Sequence, residues 1–211
     1  MELLSFPKIT DTEEMFFKRM IENCDVIPLD ENVKRQAIKI RRTSEYKIRL
    51  QQDFPMITLK PVTQNEKELL WNINQKYLYE MTKYYPDEMD ENGNYHYGYF
   101  ESYFTEPARK AYLIYSGQNL AGFAMLNPHS YIGHKVDFVI AEFCVFPAYR
   151  KQHIAQKASE FILKKHPGKW EIKFNGNNLG AKKLWEKVTQ KYNPAVHHIN
   201  DDETVLEFSN C

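Results

Sequence analysis

The order of strand and helix patterns after residue 55 restricts the fold of this 211-residue chain more than any other feature. From Met56 to Phe208, the spacing of apolar residues predicts a strand, two helices, three strands, a helix, a strand, a helix and two closing strands. The first two helices are predicted from Asn65 to about Tyr84 and, as a short aromatic helix, from Tyr97 to Phe104. Ser116, Gly117 and Gln118 separate two of these strand patterns, which predicts a hairpin. Because elements in this order build a sheet with helices packed on it, we predict an α/β (α+β) fold for this part.

The first 52 residues show a different pattern. Thr10 and Glu13 are spaced as in a capping box and accompany a helical pattern from Asp11 to about Asn23. Asp25–Leu29 is typical of a short strand, and a charged helical pattern with an apolar stripe follows from Glu31 to about Leu50. This small α-β-α appendage buries little surface, so independent folding is not expected.

The composition excludes several classes of protein. Twenty-eight basic side chains balance 28 acidic ones, which removes the electrostatic reason to expect a nucleic-acid or membrane-surface partner. Cys24, Cys144 and Cys211 lie far apart, so neither a disulfide framework nor a zinc site is predicted. No apolar run approaches the ~18 residues of a transmembrane helix. We therefore expect a cytoplasmic protein.

The junction between a strand and a helix in the second half carries the strongest chemical signal. The apolar strand pattern Val136–Val145 passes through a turn at Pro147 into a helix that begins with Arg150. The first amides of a helix lack intrahelical acceptors and lie at the positive end of its dipole, which suits a phosphate. Arg150 and Lys151 add positive charge there. The pattern indicates a diphosphate site, although an ordinary junction with solvated basic residues would look the same.

These residues resemble the signature of the GNAT N-acetyltransferase superfamily. That signature is Arg or Gln, two residues, Gly, one residue, and then Gly or Ala, just after the fourth strand. Arg150 and Ala155 occupy its first and last positions, and His153 replaces the central glycine. If His153 keeps helical angles, its ring turns away from the phosphate. If the position requires a positive φ, cofactor binding is weakened.

Two further segments strengthen the resemblance. The family motif Asn-x-x-Ala-x-x-(Phe/Leu)-(Tyr/Trp) is similar to the segment from Asn178 to Trp185. The segment HPGKWEI, from His166 to Ile172, resembles a group of predicted acetyltransferases in the superfamily. The resemblance covers residues 56–211 and implies a mixed, mostly antiparallel central sheet flanked by helices.

The resemblance also implies a site for acetyl-CoA as co-substrate. The pantetheine arm would enter between the fourth and fifth strands and pair with Phe143, Cys144 and Val145, whose amides would polarise the thioester oxygen. The diphosphate would lie on the residues that open the next helix: Arg150, Lys151, Gln152, His153, Ile154 and Ala155. Asn178 would contact the pantetheine or order the loop that follows it.

Glu142 is the predicted general base. An amine attacks a thioester only when it is neutral, whereas a free alkyl amine has a pKa near ~10.4, so a base is useful. The alternative is an outward-facing glutamate in a salt bridge. Trp185 stands where the family often has a tyrosine that protonates the departing thiolate, and an indole cannot act as that acid.

Two other features are interpreted as structural. A thiol on a buried strand, such as that of Cys144, is more often a packing group than a nucleophile. His197 and His198 are adjacent on a predicted strand and would point to opposite faces, so they are not expected to bind a metal together. No metal site is predicted.

The segment from Lys83 to Phe104 is predicted to select the acceptor. Its acidic and aromatic side chains would favour a cationic amine by charge and by cation–π contact. A solvated loop with its aromatic residues packed inward explains the same composition. The acidic residues are Asp87, Glu88, Asp90 and Glu91, and the aromatic ones are Tyr84, Tyr85, Tyr95, Tyr97, Tyr99 and Phe100.

Residues 1–52 resemble the middle of a PIN-domain (toxin-type) ribonuclease, with Glu2 in the place of one metal-binding acid. The opening strand of that family, with its first aspartate, is missing, and Leu50-Gln-Gln-Asp53-Phe replaces a Leu-Pro-Asp-Ala motif. Such nucleases need several carboxylates around Mg²⁺. We therefore expect a non-catalytic fragment fused ahead of the transferase.

The predicted function is transfer of an acetyl group from acetyl-CoA to a primary amine of a small molecule or peptide. His153 and Trp185 also prompt an alternative, a non-catalytic CoA-binding or protein-interaction module. Acetyl-CoA and the amine are the expected partners, and a homodimer is left open.

Overall fold

The computed structural model describes residues 56–211, and the predictions for residues 1–52 lie outside the described residues. Seven strands form one sheet: β1 Ile57–Pro61, β2 Lys110–Ser116, β3 Asn119–Asn127, β4 Phe138–Val145, β5 Lys169–Asn175, β6 Ala195–His198 and β7 Glu203–Ser209. Four α-helices accompany it: α1 Lys67–Met81, α2 Ser102–Thr105, α3 Ile154–Lys165 and α4 Leu179–Thr189. No helix in this described part is long and apolar enough to span a bilayer.

The sheet has the strand order β1-β2-β3-β4-β5-β7-β6. Every neighbouring pair is antiparallel except β4 and β5, which are parallel and joined by the crossover through α3. A parallel pair needs such a crossover, whereas β2 and β3 are joined by a short turn at Gly117, where φ is +61°. The predicted mixed, mostly antiparallel sheet flanked by helices is confirmed.

Helix starts differ from the sequence prediction where local chemistry intervenes. The helix predicted from Asn65 begins as a 3-10 turn, and the carboxylate of Glu66 accepts from the backbone and the hydroxyl of Thr63 in a capping box. The helix predicted to begin with Arg150 begins instead at Ile154, because two residues before it adopt positive φ. The short helix predicted over Tyr97–Phe104 is confined to α2.

The helices cover opposite faces of the sheet. On the face called here the α1 face, Leu70 and Ile73 pack against Phe123, Met125 and Cys144. On the face called here the α3–α4 face, the core contains residues of both helices and of four central strands: Ala124, Leu126, Ile140, Ile162, Leu163, Trp170, Ile172, Trp185, Val188 and Leu206. Strand side chains alternate between these faces, so each position of a strand is assigned to one of them.

A β-bulge in β4 changes that alternation. Met125 of β3 pairs with Glu142, but its neighbour Leu126 pairs with Ile140, so Ala141 is an extra residue without an opposite partner. A bulge of this kind redirects the side chains that follow it. Ile140 lies on the α3–α4 face, and strict alternation would place Glu142 there too. The bulge instead turns Glu142 to the α1 face.

Gly122 allows β3 and β4 to approach each other closely at the end of β4. A Cβ atom added at Gly122 would lie 2.0 Å from the carbonyl oxygen of Cys144. Because that oxygen belongs to the backbone of a central strand, it cannot move aside without displacing β4.

We expect Gly122→Ala to lower the free energy of unfolding by about 3 kcal/mol, because the added methyl group overpacks the β3–β4 contact. Gly180→Ala is the matched control: its added Cβ would lie 3.6 Å from the nearest atom, the side-chain oxygen of Asn178, and the residue is helical. Denaturant unfolding monitored by circular dichroism measures both variants. Equal stability of Gly122→Ala and the parent would contradict the close approach.

Candidate active site

The strands β4 and β5 pair over only three residues. The described pairs are Phe138 with Trp170, Val139 with Glu171, and Ile140 with Ile172. Beyond Ile140, β4 continues to pair with β3 as far as Val145, but its other edge has no partner strand among residues 56–211. The two strands therefore open into a wedge, with Phe143, Cys144 and Val145 on the exposed edge of β4.

The loop between β4 and α3 ends in an unusual backbone conformation. Lys151 has φ +61° and His153 has φ +58°, and neither is glycine. A left-handed conformation costs a residue with a Cβ roughly 1–2 kcal/mol. Of the two alternatives for His153, helical angles are wrong and positive φ is correct. Its side chain is exposed, so it does not close the wedge.

The helix N-terminus presents several amides toward this loop. Arg150 donates its amide to Pro147, and Lys157 donates to His153. Within residues 56–211, no backbone or side-chain acceptor pairs with the amides of the intervening positions Lys151, Gln152, Ile154, Ala155 and Gln156. Consecutive amides around residues of alternating hand form a concave anion-binding nest. This arrangement fits a diphosphate, which brings negative charge and hydrogen-bond acceptors.

The side chain of Arg150 makes contacts within the protein that the sequence did not predict. Its Nε donates to the carbonyl of Val145 at 2.8 Å, and its two terminal nitrogens bind both carboxylate oxygens of Glu80 at 2.7 and 2.6 Å. Arg150 therefore connects the end of α1 to the end of β4 and holds the loop between them. Its contact with a diphosphate stays a prediction.

The other residues predicted at this loop have separate roles. The exposed Gln152 donates its side-chain amide to the carbonyl of Ala148. Ile154 is buried and packs with Val145 in the core under α3, and Ala155 lies partly buried beside it. Lys151 is exposed. These residues set the backbone of the nest, and Lys151 adds charge.

Asn178 and Trp185 hold α4 against the wedge. The side-chain oxygen of Asn178 accepts the amide of Ala181 at 3.1 Å and caps the helix. This role corresponds to the second alternative for Asn178, ordering of the chain that follows it. The buried indole of Trp185 meets the ring of Phe143 edge-on, with ring centroids 5.1 Å apart. Trp185 therefore packs against the exposed part of β4.

Glu142 lies on the α1 face, at the mouth of the wedge. Burial raises the pKa of Glu142 to about 7, against the opposing effects of the hydroxyls of Tyr77 and Tyr97 and the charge of Lys173. The interaction is mutual, because burial and the charge of Glu142 raise the pKa of both tyrosines. A carboxylate with a pKa near neutral pH both accepts and releases a proton readily.

The two features interpreted as structural have no catalytic geometry. Burial raises the pKa of the Cys144 thiol to about 11, so it stays protonated and packs against Phe123 and its neighbours. His197 binds Glu207 at 2.9 Å, whereas His198 contacts Thr204. Among the described residues, no group of three or more metal-binding side chains has the geometry to hold a metal ion.

The acidic and aromatic segment before α2 is only partly directed to the site. The acidic residues are exposed; Asp90 accepts the amides of Asn92 and Asn94 and so shapes a turn. Tyr95 and Phe100 are buried, and only Tyr85 and Tyr97 approach the carboxylates around Glu142.

Four site residues were not predicted from the sequence: Tyr77, Tyr131, Lys173 and Glu203. A signal existed only for Lys173. Lys173 directly follows the HPGKWEI segment, and alternation along β5 places its side chain on the opposite face of the strand from the buried Ile172. The others come from a helix, a loop and the last strand, and their proximity depends on the complete fold.

The wedge between two parallel strands, the amide nest after it and the near-neutral carboxylate beside it define an acyltransferase fold of mixed α/β class. The model of the Acetyltransferase (GNAT) family matches residues 70–189. The chain belongs to this family. A search of curated proteins gives no significant match.

Solved structures show the same fold at low sequence identity. An acetyltransferase from Thermus thermophilus superposes with a TM-score of 0.55 and 16% identity, over 73% of this chain and 97% of that one. A chimera built on the spermidine N-acetyltransferase from Vibrio cholerae superposes with a TM-score of 0.51 and 13% identity, over 72% of this chain and 95% of that one. A domain from Methanocaldococcus jannaschii superposes with a TM-score of 0.51 and 15% identity, over 74% of this chain and 99% of that one.

We expect His153→Gly to raise the free energy of unfolding by up to about 1 kcal/mol, because glycine adopts positive φ without the Cβ penalty. His153→Ala keeps a Cβ and removes the imidazole, so the difference between the two variants isolates the backbone effect. Thermal unfolding measures both. An alanine variant as stable as the glycine variant would show that the conformation at this position carries no strain.

Proposed function

We propose that this chain is an acetyl-CoA-dependent N-acetyltransferase that acetylates a primary amine by direct attack on the thioester. The observation that carries the proposal is the position of Glu142: a carboxyl group with a pKa near 7 stands beside the open edge of β4. Residues 56–211 would form the catalytic domain, and residues 1–52 a non-catalytic appendage. The free thiols of Cys144 and Cys211 fit a reducing compartment such as the cytoplasm.

The co-substrate would lie along β4 and end at the nest. The diphosphate would accept hydrogen bonds from the amides between Lys151 and Gln156, where the helix dipole of α3 favours negative charge. The pantetheine arm would pair with the open edge of β4 at Phe143, Cys144 and Val145. An amide on this edge would donate to the thioester oxygen as negative charge develops there.

The reaction requires movement of one proton before the bond changes. Glu142 in its carboxylate form takes a proton from the bound ammonium group, directly or through water. The neutral nitrogen attacks the carbonyl carbon, the carbon–nitrogen bond forms, and the carbon–sulfur bond breaks. The nitrogen then loses a second proton and the departing thiolate gains one, so the products are the amide and the CoA thiol, and Glu142 returns its own proton to solvent. A general base contributes about 10²–10⁴-fold to such a step when its pKa matches the working pH.

A non-catalytic CoA-binding module is the second candidate, since His153 is strained and Trp185 occupies the place of a tyrosine acid. Calorimetry with CoA, followed by thiol release from acetyl-CoA with a panel of amines and peptides, separates the two. Binding without thiol release supports the module. Absence of CoA binding at millimolar concentration contradicts both candidates.

We expect Glu142→Gln to lower turnover about 100-fold below neutral pH and less at high pH, where solution supplies the neutral amine. In the parent, the rate should rise with pH up to about 7, because Glu142 acts as a base only after it loses its proton and burial holds its pKa there. A pH profile of kcat/KM measures both enzymes.

Glu68→Gln is the matched control for this profile, because Glu68 is an exposed glutamate on α1. Its profile should match that of the parent. A Glu142→Gln variant with the parent's rate at every pH would remove Glu142 from the mechanism.

We expect Arg150→Glu to weaken CoA binding about tenfold or more, both by like charge near the diphosphate and by loss of the contacts to Val145 and Glu80. The exchange variant Arg150→Glu/Glu80→Arg restores an ion pair between the same positions. If Arg150 acts by holding the loop, calorimetry should show that the exchange recovers part of the affinity. Unchanged affinity of Arg150→Glu would contradict a role for this corner.

A further inference from the structure

Lys173 stands across the mouth of the wedge from Glu142. It is the first residue of β5 beyond Ile172, where pairing with β4 ends. Trp170, Ile172 and Phe174 pack on the α3–α4 face, so alternation places the side chain of Lys173 on the α1 face. The charge of Lys173 reaches Glu142 and lowers its pKa relative to burial alone. Lys173 therefore borders the space in which an acceptor amine would approach.

The ammonium group of Lys173 lies against two aromatic rings and a carboxylate. Its Nζ lies 4.9 Å from the ring centroid of Tyr131 and 5.5 Å from that of Tyr85. It also binds the carboxylate of Glu203 at 2.5 Å. Both ring distances lie within the roughly 6 Å over which an aromatic face attracts a cation. We call Tyr85, Tyr131 and Glu203 the ammonium cage.

The walls of the ammonium cage are held by the rest of the fold. The wholly buried carboxylate of Glu171 accepts the backbone amide of Tyr131 at 2.7 Å and the hydroxyl of Ser130. The second oxygen of Glu203 accepts the side-chain amide of Asn200 at 2.9 Å. Tyr131 and Glu203 are therefore held by contacts that do not depend on Lys173.

The charge around the cage favours a cation. Glu142, Glu171 and Glu203 lie on the same face of the sheet, and Lys173 brings a positive charge among them. Removal of its charge would leave two aromatic faces and a carboxylate open to solvent, which is the chemistry that binds an alkylammonium ion.

We propose that Lys173 is an internal occupant of an ammonium subsite and determines acceptor specificity. While its own ammonium fills the cage, the second ammonium of a diamine has no place beside the reacting amine. The enzyme therefore acts on acceptors with a single cationic amine at this end, and loss of Lys173 opens the subsite to diamines. The inference rests on the proposed N-acetyltransferase function.

Lys173 is poorly suited to the opposite role of binding an anionic group on the acceptor. Its side chain is 25% exposed, and its charge is already neutralised by Glu203 at 2.5 Å. An incoming carboxylate would have to compete with Glu203 and would meet Glu142 nearby. An acceptor without an anionic group next to its amine therefore fits the space between Lys173 and Glu142 better than an acceptor with one.

The first test measures the cage without catalysis. Lys173→Ala removes three carbons and the nitrogen, which together match n-propylammonium. Calorimetry and thermal unfolding should show that n-propylammonium chloride binds Lys173→Ala and raises its melting temperature, at constant ionic strength. The parent should show neither effect, and n-propanol, of the same size without charge, should bind neither protein.

The second test measures acceptor choice with pairs of equal chain length: putrescine against butylamine, and cadaverine against pentylamine. The ratio of kcat/KM for each diamine over its monoamine should rise about tenfold in Lys173→Ala, a change equivalent to ~1.4 kcal/mol of cage binding. Lys173→Met fills the space without a charge and should keep the parental ratio. Lys169→Ala, an exposed lysine on the same strand, is the matched control.

The possible negative results of the two tests contradict different parts of the proposal. No binding of n-propylammonium by Lys173→Ala overturns the cage. Binding with an unchanged diamine ratio overturns the role in specificity and leaves the N-acetyltransferase function standing. A parental preference for amines that carry a carboxylate, lost in both Lys173→Ala and Lys173→Met, would assign Lys173 to an anion instead. Absence of acetyl transfer to every amine would refute the proposed function and this specificity with it, whereas calorimetry would still decide the cage.

Discussion

The early end of the pairing between β4 and β5 is the constraint on which the rest of the site depends. After Ile140 and Ile172, each strand keeps its other neighbour, so the sheet remains continuous at its outer parts while its centre opens. The opened edge of β4 exposes backbone donors and acceptors that would be hydrogen-bonded to the next strand in a closed sheet. Because β4 continues directly into the loop and α3, that edge and the amide nest form one continuous surface.

The bulge at Ala141 adds chemistry to this opening. It turns Glu142 toward the tyrosines on the α1 face, where burial makes the charged carboxylate costly and raises its pKa to about 7. The same shift lowers the stability of the fold. A carboxyl whose pKa is raised on folding binds more protons in the folded chain, so stability falls as pH rises from about 4.5 to 7. Active sites often contain such destabilising groups, because a catalytic base needs a pKa close to the working pH.

Two residues shape the nest and connect it to α1. His153 adopts positive φ at the position where the family signature has glycine, at a cost in strain. Arg150 satisfies the carbonyl of Val145 and joins α1 through Glu80, which ties the nest to the helix that also carries Tyr77. The nest and the base are thus positioned by shared elements.

The sequence alone determined most of the fold. Between residues 56 and 211, apolar spacing located the seven strands and three of the four α-helices, because alternation and helical periodicity are local signals. It also located the strand–helix junction and singled out Glu142. The local errors included the starts of α1 and α3 and the length of α2; at α3, Lys151 and His153 interrupt the helix.

Only the tertiary structure decided which groups surround Glu142. The face of the sheet on which Glu142 lies depends on a one-residue bulge, which no residue type in the sequence indicates. Arg150 binds Glu80, which is 70 positions away in the sequence. Tyr85, Tyr131, Lys173 and Glu203 belong to four separate segments, and they meet only because the sheet order places β7 beside β5. Local periodicity fixes which side of an element is buried, whereas contacts between distant segments arise from the packing of the whole sheet.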